Sequence, residues 1–235
     1  MTRHTTATAI LICPIPRGAP VAEVAAWMAR SRGSDVPVTW AVCPEAVSIA
    51  SEAAADTIPD LALDLSGIWP ASRQAIRQTL RSARKTWPHL ETALLRGPAG
   101  LDHRDTLVQE GITTIAVDQF DSPARGSRRP APRGWPCRSI LWGLWEVAVS
   151  AGPRTGLIGQ LKTWCHRGGG AGGLSILDAG GSSSVATIRN RFDRHLAWIR
   201  RKSPSGLQAI TLSDLPAVLR GGGDAASRGS VLRAA

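Results

Sequence analysis

The chain has 235 residues, a formal charge of +10, 43% hydrophobic residues and 20% charged residues. That apolar fraction is enough for a core and excludes a wholly disordered chain, and the length suits one domain. No apolar run approaches the ~18 residues of a membrane span, and residues 1–16 lack a small-x-small cleavage site, so the expectation is a soluble cytoplasmic protein without a membrane partner.

The first predicted strand covers residues 7–13. Pro20 stands where a first-turn proline belongs, and Val21, Val24, Ala25 and Met28 follow at helical spacing. A strand at 36–43 precedes a short helix from Pro44, and 60–65 reads as a third strand. Pro70 opens a longer helix with Ile76, Leu80, Ala83 and Trp87 on one face. Its Arg73, Arg77 and Arg81 lie on the opposite face, expected to be simply solvated. A strand at 91–96, a helix near 103–110 and a strand at 112–117 come next.

A loop dense in Pro, Gly and Arg occupies 121–136. The apolar stretch 139–150, a helix near 154–166 and a strand at 174–178 follow. Ser182–Ser184 can cap a helix whose inner face is Val185, Ile188, Phe192, Leu196 and Ile199. The last strand, 207–212, leads into 213–219, and 221–235 reads as a flexible tail. Strands alternating with helices imply a parallel sheet with helical crossovers, either an open doubly wound sheet or a barrel. The units continue to the C-terminus without a nucleotide fingerprint at the first turn. The expected fold is therefore α/β, a deformed (β/α) barrel of seven to eight mostly parallel strands, as a single domain over 1–220.

The four cysteines, at 13, 43, 137 and 165, form no CxxC pair, and Cys13 and Cys43 read as small buried hydrophobes in a reducing compartment. Arginine supplies nearly all the basic charge, a compositional bias that speaks to solubility before function. The glycines of 168–173 follow a helix and precede a strand, the reverse of a dinucleotide loop. Asp178-Ala179-Gly180-Gly181-Ser182 does leave a strand and enter a helix, which leaves both anion binding and a plain helix cap open. None of the five histidines pairs with another at helical spacing, so neither a metal nor a cofactor is expected.

Carboxylates offer more. Asp64, Asp118 and Asp178 each follow an apolar strand, where the active sites of barrels form, although Asp also caps turns there. Glu146 is an unusual charge inside an apolar strand, either a site residue or an edge residue facing solvent. Trp69, Trp142 and Trp145 lie near loops, where an indole can stack on a sugar ring.

One stretch carries more than composition. The strand at 91–96 runs into Arg96-Gly97-Pro98-Ala99-Gly100, which resembles the Arg-x-Pro-x-Gly motif of polysaccharide deacetylases. Asp60-Leu61-Ala62-Leu63-Asp64 with the helix 72–87 is similar to an upstream unit of that family, and 207–219 to its closing strand and helix. The resemblance implies a deformed barrel, a link to acylated sugars, and a ligand-facing place for Pro98 and Gly100 beside Trp69 and Trp145. It also implies a Thr-Phe-Asp-Asp motif after the first strand, where this chain has Ile12-Cys13-Pro14-Ile15-Pro16. The family's His-x-x-x-His metal pair falls at Asp64 and Ile68, and its late catalytic histidine near Leu177–Asp178. Arg96, whose family role is to orient a catalytic aspartate, is retained without that partner.

The leading expectation is a degenerate deacetylase-like barrel that binds a carbohydrate or a partner protein without metal-dependent deacetylation. The alternative is an enzyme with a rebuilt site that uses Asp64, Asp118 or Asp178 with Arg96, either metal-free or holding Mg²⁺ through carboxylates alone. Nucleic-acid binding through Arg125, Arg128, Arg129, Arg133 and Arg138 ranks last, because that loop offers only Trp135 for stacking.

Overall fold

The computed structural model describes residues 7–55, 57–96, 103–118, 137–140, 143–149, 174–180 and 184–221. Their strands are β1 (Ala7–Ile15), β2 (Thr39–Val42), β3 (Asp60–Asp64), β4 (Thr92–Leu95), β5 (Thr114–Val117), β6 (Cys137–Ser139), β7 (Trp145–Ala148), β8 (Leu174–Asp178) and β9 (Leu207–Ile210). The helices are α1 (Val21–Gly33), α2 (Val47–Ala54), α3 (Arg73–Thr86), α4 (Arg104–Gln109), α5 (Val185–Lys202) and α6 (Leu215–Gly221).

All nine strands join one sheet in the order β6-β7-β5-β4-β3-β2-β1-β8, with β9 also paired to β1. Every pairing is parallel except β6 with β7. The architecture is α/β, a deformed (β/α) barrel whose sheet curls without full closure. β2, β4 and β5 are buried along their whole length, as strands covered on both faces must be. Alternate residues therefore serve two cores. Leu11, Trp40, Leu63, Ala93, Ile115 and others pack outward against helices that contribute Trp27, Leu80 and Phe192. The opposite set, including Ile10, Ala41, Ala62, Leu94, Ala116 and Ile176, fills the inside of the curl with Leu212 and Leu215. Trp40 meets Phe192 of α5 with ring centroids 5.6 Å apart.

β1 is the longest strand because it serves three partners. β8 pairs with Thr8–Ile12 along one edge. β2 pairs with Ile12–Ile15 and β9 with Ala7–Ile10, so those two share the other edge end to end. Their seam is stitched by Thr39, whose hydroxyl oxygen accepts the Leu212 amide at 2.8 Å.

The structure refines several expectations. Among the described residues eight strands form the main sheet order, as the barrel expectation has it, with β9 added beside β1, and Cys137–Ser139 pairs antiparallel with Trp145–Ala148. The long helix begins after Ser72, whose Oγ accepts the Ala75 amide, three residues later than Pro70 suggested. The α3 arginines are not simply solvated. Arg73 bridges Asp105 at 3.0 Å, and Arg81 bridges Glu110 at 3.0 Å. Among the described residues no helix is long and apolar enough to cross a membrane. The loop 121–136, the helix expected near 154–166, the glycines of 168–173 and the tail from 222 onward lie outside the described residues.

Candidate functional site at the barrel mouth

Strand periodicity places four charged residues on one side. Ala62, Leu94, Ala116 and Ile176 all belong to the inner core. Asp64, Arg96, Asp118 and Asp178 each come two residues later, so they point to the same inner side at the C-terminal ends of β3, β4, β5 and β8. This is the mouth of the barrel.

Arg96 is the hub. Its Nη1 donates to Asp178 Oδ2 at 2.7 Å and its Nη2 to Asp178 Oδ1 at 3.1 Å, a two-pronged bridge. Its Nε lies 3.9 Å from Asp64 Oδ2. Burial works against the Arg96 charge, but Asp178, Asp64 and Asp118 together more than offset it, and the pKa rises. The Arg96 amide donates to Ser66 Oγ at 2.7 Å, while the Ser66 amide and hydroxyl both donate to Asp64 Oδ1.

The far side of the bridge is held as tightly. The Gly180 amide donates to Asp178 Oδ1 at 2.8 Å. A Cβ on Gly180 would overlap the Arg96 guanidinium, so any side chain here would have to displace it from its place against this turn. From α5, Arg191 donates to the Gly180 carbonyl, and the buried His195 bonds the Asp178 main chain. Burial depresses the His195 pKa, against the opposing pull of Asp178.

The other expected site residues lie elsewhere. Glu146 is fully buried and points outward from β7, away from the mouth, where Arg104 of α4 and Arg138 of β6 both grip its carboxylate. Trp69 is buried, its indole edge-on to His103 with centroids 5.4 Å apart. Trp145 is buried at the start of β7, the end remote from the mouth. Neither indole offers the open face that sugar stacking needs. Pro98, Gly100 and Trp142 lie outside the described residues.

Cys13 is fully buried as expected, and burial raises its thiol well above the usual range. Cys43, at the end of β2, is only half-buried, with Arg17 and Glu45 hydrogen-bonding its thiol. Ser66, Gly180, Arg191 and His195 were not singled out individually by sequence. Gly180 left a signal, a glycine directly after a strand. Its amide serves Asp178, however, which removes it from the anion loop that the sequence also allowed.

The metal that the resemblance implies does not suit these donors. Asp178 spends both oxygens on Arg96 and Gly180, and a guanidinium occupies the centre of the acids. Among the described residues no three His, Cys, Asp or Glu side chains are arranged to hold a metal ion. A cleft of ~530 Å³ opens at the opposite end of the barrel, lined by Ser31, Trp40, Ile58 and Asp60 among others. It lies at the N-terminal ends of β2 and β3, which in such barrels serve stability, and it does not reach the charged mouth.

No family model matches the chain, and no curated protein matches it in sequence. Solved structures do match. A Mycobacterium smegmatis protein provisionally assigned as a polysaccharide deacetylase aligns with 92% of this chain and 91% of its own, at TM-score 0.57 and 13% identity. A CE4-family pseudoenzyme from Bacillus anthracis aligns with 91% of this chain and 66% of its own, at TM-score 0.44 and 11% identity. The peptidoglycan deacetylase of Bacillus subtilis aligns with 93% of both chains, at TM-score 0.44 and 10% identity. The first of these establishes a deacetylase-like fold and nothing finer.

Proposed function

We propose that this deacetylase-like barrel binds a carbohydrate, an acylated sugar above all, at its mouth without carrying out metal-dependent deacetylation. One observation carries the reading: Arg96 is locked between Asp178 and Asp64 at the centre of the mouth. Deacetylation of the usual kind needs a Lewis acid to polarise the acetyl carbonyl and to activate water. A fixed guanidinium repels a divalent cation from the same acids. It remains a good donor to the carbonyl and hydroxyl oxygens of a sugar. The end of β1 and the residue after it, Pro14-Ile15-Pro16, bring no carboxylate to serve as the base.

The test pairs two measurements. Calorimetric titration with N-acetylglucosamine oligomers should give binding that Arg96→Gln weakens at least tenfold. Metal analysis after incubation with Zn²⁺, Co²⁺, Mn²⁺ or Mg²⁺ should give no more metal than Asp64→Ala retains. Near-equimolar metal that is lost in Asp64→Ala would overturn the reading and support a rebuilt carboxylate site. Absence of sugar binding would overturn the carbohydrate ligand.

A further inference from the structure

Two helices present rows of arginine to solvent, and only one row is neutralised. On α3, Arg73, Arg77 and Arg81 reach Asp105 and Glu110 of α4. α5 carries six cationic side chains against one carboxylate in 18 residues, a net of five positive charges within a chain of +10. That one carboxylate, Asp193, is taken by Arg30 of α1. Arg189, Arg194, Arg200 and Arg201 are exposed and have no carboxylate partner among the described residues. At 100° per residue they fall within one face about 140° wide, and Arg189 and Arg200 stand about 16 Å apart along the axis. Half-buried Trp198 borders this face, three residues before Arg201 and four after Arg194.

The surroundings select the partner. The apolar side of α5, with Ile188, Phe192, Leu196 and Ile199, is buried in the core and has nothing to insert into a lipid surface. The helix starts at the mouth, where Arg191 and His195 hold the turn that carries Asp178. A polymer with one sugar in the mouth can thus continue along α5, its next units against the arginines and beside the Trp198 indole. From this geometry we infer that the exposed face of α5 docks an anionic polysaccharide. The inference rests on the carbohydrate reading of the mouth and adds that the units outside it bear negative charge.

Fluorescence anisotropy with labelled polygalacturonate, on the full chain, tests this. Binding should occur at low salt and fall about tenfold or more between 50 and 200 mM salt, as released counter-ions predict. It should fall at least tenfold in the quadruple variant Arg189→Gln/Arg194→Gln/Arg200→Gln/Arg201→Gln, and uncharged dextran should not compete. These side chains are exposed and have no carboxylate partner among the described residues, so the variant should melt close to the parent. Arg96→Gln should lose the N-acetylglucosamine oligomer and keep the salt-sensitive part of polygalacturonate binding that the four arginines supply, which separates failure of the mouth from failure of the helix face. No binding by the parent chain, or full binding by the quadruple variant, overturns the inference. So does tighter binding of a single-stranded DNA of equal charge, which would give this face to nucleic acid.

Discussion

Asp60 begins β3 at the end of the barrel away from the mouth, and it is an acid that burial works against. Its Oδ2 accepts the Thr39 hydroxyl at 2.6 Å, and Ser213 also bonds it. Burial still raises its pKa above 3.8, ahead of the opposing hydrogen bonds. The folded state therefore holds this proton more tightly than the unfolded chain does. The stability it contributes is full below pH 3.8 and is lost as pH rises through the folded value. Asp60→Asn keeps an acceptor for Thr39 and removes the ionisation. Thermal melts should show it more stable than the parent at pH 7, with the gap closing toward pH 3. Gly180 is the converse case, a residue chosen for what it lacks. Gly180→Ala should push Arg96 off Asp178, cost about 1–3 kcal/mol in chemical denaturation, and weaken sugar binding as Arg96→Gln does.

At the scale of elements, Glu146 shows why one candidate was misread. A charge inside an apolar strand is visible in sequence, but its partners are not. Arg138 faces it across the hairpin, and Arg104 lies 42 residues upstream on α4. Together they clamp α4 and β6 onto β7 from the outer side. Glu146→Ala would take away the carboxylate that both arginines grip, one of them with only 5% of its side chain exposed. It should destabilise the fold by about 3–5 kcal/mol, and Arg104→Met in the same chain should recover much of that loss, a double-mutant cycle by urea denaturation. The mouth was more legible. Asp64, Asp118 and Asp178 were visible because acids at strand ends share one side when the strands are parallel. Arg96 was grouped with them, but which acid it bridges was not legible, since the Arg96–Asp178 bridge spans 82 residues. Trp69 and Trp145 are buried, which sequence did not show for a related reason: proximity to a loop says nothing of whether the ring turns inward.

Across the whole molecule, the alternation of short apolar strands with amphipathic helices carried the fold class, because both periods are written locally. The strand order was not written there. Nothing near Ala7 and Thr8 announces that their partners are Leu207 and Leu174, or that β9 takes the lower half of an edge whose upper half belongs to β2. That arrangement has a consequence in time. During synthesis β9 leaves the ribosome about 200 residues after β1. At ~5–20 residues per second the first strand waits roughly 10–40 s for its last neighbour. Through that interval the lower half of one β1 edge stands open beside apolar side chains, a template for any other extended strand. The nascent chain is thus most exposed to mispairing at the strand on which the finished sheet depends most.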